Sequence, residues 1–246
     1  MGIIPRLATV VFVIALPVFL VTANIRFLSG EVRLYERGFR EYDAEKATGI
    51  RLAELDRAAA EIIAYFENDA GTLRILVTED GEEVSLFNAR ETEHMSDVKT
   101  LMRLVFRLNE ISLAVVITYM AARYLWAREA SIRMLAREAL IAFGWAGAVL
   151  GGLAVVALMG FDALWTRFHE IAFRNDLWRL DPDTDHLIQM FPEAFWEETA
   201  LFVAVMTLAE VLLIAGIAAA YLVVTRERAL AVEPVAEGEY QPAVNS

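Results

Sequence analysis

Four long apolar runs limit what this chain can become. They cover residues 7–28, 108–126, 139–161 and 201–224, and each carries at most two charged residues. A helix rising 1.5 Å per residue needs roughly 20 residues to cross a hydrocarbon core of about 30 Å. A soluble domain has no use for four such runs. The 57% apolar content and mean hydropathy of +0.44 agree, since ordinary soluble domains hold about 45–50%. The first run also invites a signal-peptide reading, because Arg6 precedes it and small residues follow Val21. Its length exceeds the usual apolar core of about 7–15 residues, so it is expected to stay as an anchor. The expected fold is an all-α membrane protein with four transmembrane helices and a small α+β extracytoplasmic cap.

Basic residues orient the spans, because short cytoplasmic connectors are enriched in Lys and Arg. The connector between the second and third runs holds Arg123, Arg128, Arg133 and Arg137, while residues 162–200 hold only Arg167, Arg174 and Arg179. Arg6 precedes the first run, and Arg226 and Arg228 follow the last. Both termini are therefore expected in the cytoplasm, with residues 29–107 and 162–200 outside. Those two segments hold most of the net charge of −12, which argues against nucleic acid as a partner. The chain has no cysteine, which removes disulfides, thiol nucleophiles and thiolate metal sites.

The expected organisation is a first span over 1–28, the α+β cap over 29–107, and spans two and three over 108–161 with a cytoplasmic connector at 127–138. An outer segment at 162–200, a fourth span at 201–226 and a disordered tail at 227–246 complete it. Within the cap, Leu52, Leu55, Ala59, Ile62, Ile63 and Phe66 fall at helical spacing, and residues 72–88 read as a hairpin turning at Asp80 and Gly81. Ser96 is the expected N-cap of the helix entering span two, with Asp97 in its first turn. Span three is expected to run on past the membrane surface, placing Trp165, Phe168, His169 and Ala172 on one face. Pro182 breaks the chain, Asp183 or Thr184 caps a short helix through Met190, and Pro192 opens the helix into span four.

The chemical candidates are few. The alternating acids Asp181, Asp183 and Asp185 do not make a calcium loop, because His186 and Pro192 stand where Gly and Glu are required. Glu91 and His94 form the chain's one Glu-x-x-His pair, and no His-Glu-x-x-His is present, so a metal hydrolase has little support. On spacing alone a lone histidine at a membrane-surface helix is a hydrogen-bonded structural residue more often than a catalyst. His94 is placed just before a helix start, where free N–H groups favour an anion, and His186 reads as a helix-surface residue. Glu210 lies deep in span four, where an ionisable group is costly, and Thr118 or Asn109 are its expected partners. Arg26 and Glu110, at outer span ends, are placed to pair or to meet a head group.

Residues 91–99 (ETEHMSDVK) and 168–196 (FHEIAFRNDLWRLDPDTDHLIQMFPEAFW) resemble the bacterial integral-membrane family of the lipoprotein intramolecular transacylase. The family's His-Met-x-Asp-Val-Lys and Phe-His…Phe-x-Asn-x-x-Trp…Asp-Pro…Pro-Glu-x-Phe boxes occur in order, each beside a span. The resemblance implies an enzyme of the bacterial cytoplasmic membrane that works at its outer face. It would move the sn-2 ester acyl chain of a diacylglyceryl-modified lipoprotein onto that protein's N-terminal cysteine amine, giving the lyso form. It implies His94 and His169 as catalytic residues, with Asp97, Asn175, Trp178 and Asp185 in support. Arg26 joins them as a candidate contact for substrate or membrane phospholipid. No cofactor is expected, since transfer from ester to amide runs downhill. Which histidine is the base stays open, and a non-enzymatic membrane partner or sensor protein remains the other reading beside the metal-dependent hydrolase.

Overall fold

A computed structural model describes residues 3–79, 81–127 and 129–232. The chain begins with α1 (Ile3–Ser29) and then builds the cap from α2 (Val32–Glu41), α3 (Ala44–Thr48) and α4 (Leu52–Glu67). The antiparallel hairpin β1 (Leu76–Glu79) and β2 (Glu82–Ser85) follows, pairing Leu76 with Ser85 and Glu79 with Glu82. Gly81 turns it at φ 88°, a backbone conformation that costs glycine little. Asp80, the other expected turn residue, lies outside the described residues. Next come α5 (Ala89–Ala127), α6 (Glu129–Met159), α7 (Phe161–Ala172), α8 (His186–Met190) and α9 (Glu193–Val232).

Among the described residues, four helices, α1, α5, α6 and α9, are long and apolar enough to cross a membrane. Their mutual packing is built on Phe12, Ala15, Leu16, Leu20, Val116, Ala139, Ala142 and Phe143. The outward faces stay apolar and exposed, as at Leu153, Leu212 and Ile217, because lipid solvates them in place of water. At the end of the bundle away from the cap, Arg123 Nη2 donates to Glu138 Oε1 at 2.6 Å, and the Tyr119 hydroxyl lies 3.0 Å from the same carboxylate.

The cap has a separate core made of Tyr35, Phe39, Ile50, Leu55, Ile62, Tyr65, Ile75 and Leu86, completed by Met190, Phe191 and Phe195 from the far end of the chain. Gly38 lets this happen: a Cβ there would stand 2.6 Å from the Phe195 ring, closer than any side chain tolerates.

Several expectations need correction. The helix entering span two starts at Ala89 rather than near Ser96. Asn88 caps it, since its Oδ1 accepts from the Glu91 N–H at 3.0 Å while Glu91 Oε2 accepts from the Asn88 N–H at 2.8 Å. This reciprocal capping box satisfies two helix-end donors, and it leaves Ser96 and His94 inside the helix. Span three does not run on unbroken, for α6 ends at Met159 and α7 begins beyond Gly160. Asp185 holds the N-cap position of α8, not Asp183 or Thr184, and makes no side-chain capping bond there. Pro192 directly precedes α9 rather than forming its first residue. The partner of Glu210 is Asn24, whose Nδ2 donates to Glu210 Oε2 at 3.0 Å and to Thr207 Oγ1 at 3.1 Å. Asn109 bonds instead to Thr22 Oγ1 at 3.2 Å. Finally, α9 stays helical to Val232, within the stretch expected as a disordered tail, and residues 233–246 lie outside the described residues.

Candidate active site

The two histidines meet where α5 and α7 converge. His94 lies in the second turn of α5 and His169 in the last turn of α7, and both are buried, 6% and 7% exposed. Their ring centroids are 6.2 Å apart at 33°. Both rings are therefore within reach of one small reacting group.

Aromatic side chains enclose His169. Trp165 meets it edge-on at 4.5 Å and Trp178 lies over it at 4.9 Å, while Phe173 stands 5.6 Å from His169 and 5.1 Å from His94. Trp165 is stacked in turn on Trp196 at 5.2 Å, which ties the enclosure to the start of α9. Helical geometry supplies the one polar contact to the ring among the described residues: His169 Nδ1 lies 2.8 Å from the carbonyl oxygen of Trp165, one turn earlier. Burial holds the His169 pKa below its ordinary value, and the Trp165 carbonyl, which favours the protonated ring, offsets part of that. His94 Nδ1 is buried with no hydrogen-bond partner among the described residues.

The remaining candidates fall into three groups. Asp97 and Asn175 are joined, Asn175 Nδ2 donating to Asp97 Oδ2 at 2.8 Å, three residues along α5 from His94. Trp178 belongs to the enclosure just described, and Arg90 Nη2 straps its segment to α5 by donating to the Asp176 carbonyl at 2.6 Å. Asp185 serves as a brace: its Oδ1 accepts from Asn88 Nδ2 at 2.8 Å and its Oδ2 accepts from the Asp181 N–H at 2.7 Å. Arg26 is not brought to the histidines. It pairs with Glu110 at 2.9 Å and lies 4.9 Å from the Phe106 ring, about 18 Å along α5 from His94 by helix rise. His186, expected on a helix surface, is half-buried and anchored through Nδ1, 2.7 Å from the Leu86 carbonyl.

Glu91 is the residue that spacing undervalued. It is 1% exposed, and besides capping α5 its Oε1 accepts from the Leu187 N–H at 2.6 Å. One carboxylate thus fastens the start of α5 to the start of α8. The Asn88-x-x-Glu91 pattern just ahead of His94 was the available signal. Helical spacing puts Trp165 on the face of His169, and Phe173 stands out only as the first residue of the Phe-x-Asn-x-x-Trp box. Among the described residues, no group of three or more His, Asp or Glu is arranged to hold a metal ion.

The model of a family described as lipoprotein intramolecular transacylase Lit matches residues 10–196. No curated protein sequence matches the chain. Among solved structures, the lipoprotein intramolecular transacylase of Bacillus cereus superposes with a TM-score of 0.77 at 18% identity, covering 93% of this chain and 100% of that one. A form of the same B. cereus protein with a histidine-to-alanine mutation gives 0.69 at 18% identity, covering 91% of this chain and 95% of that one.

Proposed function

Because the chain belongs to the lipoprotein intramolecular transacylase family, whose reaction converts a diacylated lipoprotein to its lyso form, we propose that His169 is the general base and His94 the hydrogen-bond donor of the transfer. The observation that carries this is the 2.8 Å contact between His169 Nδ1 and the Trp165 carbonyl. A carbonyl only accepts, so Nδ1 keeps the proton and Nε2 keeps its lone pair. His169 is thereby held in the tautomer a base requires.

The reaction then follows from ordinary acyl chemistry. The lipoprotein's α-amine has a pKa near 7.7–8.0 and is partly neutral at physiological pH, so it needs a partner for its proton more than it needs activation. Its nitrogen attacks the sn-2 ester carbonyl carbon while His169 Nε2 takes the N–H proton. His94 donates to the oxygen that becomes negative in the tetrahedral intermediate, the usual seat of electrostatic stabilisation. Collapse breaks the ester C–O bond, and the departing glyceryl oxygen takes the proton back from His169. The products are an amide and a free sn-2 hydroxyl. Because both groups belong to one molecule, a well-held geometry is worth effective molarities of about 10⁵–10⁸ M. Trp165, Phe173 and Trp178 shield the base from bulk water, which favours amine over water as nucleophile. The Asp97–Asn175 bond and the Asp185 brace hold the two histidine-bearing segments in register.

No step calls for a cofactor. Membership of the family supports a bacterial cytoplasmic membrane location with membrane phospholipid as the medium for the substrate's acyl chains, and the arginine asymmetry supports both termini inside and the cap outside. Mass spectrometry of lipoprotein N-termini in cells with and without this chain tests the reading. We expect the lyso form to appear with the native protein and to fall about 10²–10⁴-fold with His169→Asn or His94→Asn at equal expression, the scale of general acid–base catalysis. Unchanged lyso lipoprotein in both variants would overturn the assignment.

A further inference from the structure

Beside the histidines, on the flank of α5, lies an open groove of about 660 Å³ lined by Asp97, Leu104, Arg103, Arg107, Phe173 and Arg174 among others. Three of those side chains are cationic in a chain whose net charge is −12. Arg103 is engaged, its Nη2 donating to Asp69 Oδ1 at 2.9 Å. Arg107 and Arg174 make no ion pair among the described residues.

The position of the groove narrows its occupant. Arg107 directly precedes Leu108, where the apolar run of span two begins, so the guanidinium groups stand at the membrane–water boundary. Leu104, Leu108 and Ile111 continue from the groove into the span at helical spacing and are 53%, 42% and 61% exposed. A ligand that fits both parts carries one anionic group and, next to it, a hydrocarbon chain. A diacylglyceryl thioether supplies the chain and not the charge. Arginine forks suit phosphate oxygens.

We propose that this groove binds an anionic phospholipid from the cap-side leaflet, with its phosphate between Arg107 and Arg174 and an acyl chain along Leu104, Leu108 and Ile111. A bound lipid there forms one wall of the entrance to the histidine pair, across Phe173. The proposal stands independently of which histidine is the base.

Native mass spectrometry of purified protein in detergent, titrated with phosphatidylglycerol and with phosphatidylcholine, reads the binding. The native chain should retain phosphatidylglycerol in preference to phosphatidylcholine. Arg107→Gln with Arg174→Gln should weaken that retention roughly tenfold or more, given about one decade or less per basic residue near an anionic surface. Arg33→Gln, on an exposed face of α2, should leave retention unchanged, and an unshifted unfolding temperature certifies the fold of each variant. Glycerol phosphate, which lacks the chain, should not displace the lipid. Equal retention of both lipids, or retention untouched in the folded double variant, overturns the proposal. So does a double variant that keeps its lipid but binds acidic lipoprotein peptides less well, since the groove would then hold the substrate's polypeptide.

Discussion

Removing the Glu91 carboxylate should loosen the machinery at its root. Glu91→Ala deletes two charge-assisted hydrogen bonds, to the Asn88 N–H at 2.8 Å and to the Leu187 N–H at 2.6 Å. Bonds of this kind contribute roughly 1.5–3 kcal/mol each, and both donors are left in a poorly hydrated place, so the expected loss is about 3–5 kcal/mol. Glu91→Gln retains one acceptor oxygen and turns an amide N–H₂ toward the other donor, for a loss of about half as much. Glu93, two residues along and exposed, provides the control, and Glu93→Ala should stay within about 0.5 kcal/mol. Thermal unfolding of purified protein in detergent measures the series. At roughly 2–4 °C per kcal/mol for chains of this size, Glu91→Ala should unfold on the order of 10 °C below the native protein, with Glu91→Gln between. If Glu91→Ala and Glu93→Ala melt together, the carboxylate is not holding α5 to α8.

Three further outcomes are expected. Acyl transfer requires a neutral His169, and burial lowers the pKa of that ring, so the proton binds only at lower pH; followed by NMR in purified protein, the His169 imidazole should stay neutral on acidification past the ordinary histidine value of about 6.5, while the substrate amine sets the acid limb of kcat/KM. A His169 ring that titrates at or above about 6.5 would contradict the buried, enclosed site. Treatment with EDTA should leave transfer intact, whereas loss of activity that zinc restores would favour metal-assisted hydrolysis. A reporter fused after Gly81 should behave as extracytoplasmic, and cytoplasmic behaviour would invert the orientation drawn from the arginines.

The four apolar runs were legible because spanning a membrane is a one-dimensional matter of length and composition. The hairpin at Gly81 and the helix over Leu52–Glu67 were legible for a similar reason, as local periodicity and a turn residue are enough. Ser96 shows where local rules compete: it has the chemistry of a cap, but Asn88 and Glu91 cap each other earlier, and the helix starts at the first cap that closes. The partner of Glu210 could not be found by spacing, since it depends on which face of α1 meets α9. The histidine pair was legible only through the resemblance of its two segments. Nothing in the pattern around His94 reveals that Phe173 returns across it while Trp178 covers His169, because that closure is made by contacts between distant parts of the chain. Glu91 was hidden in the same way, for its second partner is 96 residues further on.

The cap core draws Met190, Phe191 and Phe195 from beyond the third membrane helix, which has a consequence for synthesis. Residues 29–107 leave the ribosome long before those three side chains exist, so Tyr35 and Phe39, which contact Phe191 at 5.8 and 5.4 Å, wait without their partners. Gly38 likewise keeps open a slot that the Phe195 ring fills only later. A segment made early is thus completed only when residues 190–195 arrive. Chains halted at residue 185 should therefore show a protease-sensitive cap that chains extended to residue 232 protect; equal resistance in both would mean that the cap closes without its late-arriving rings.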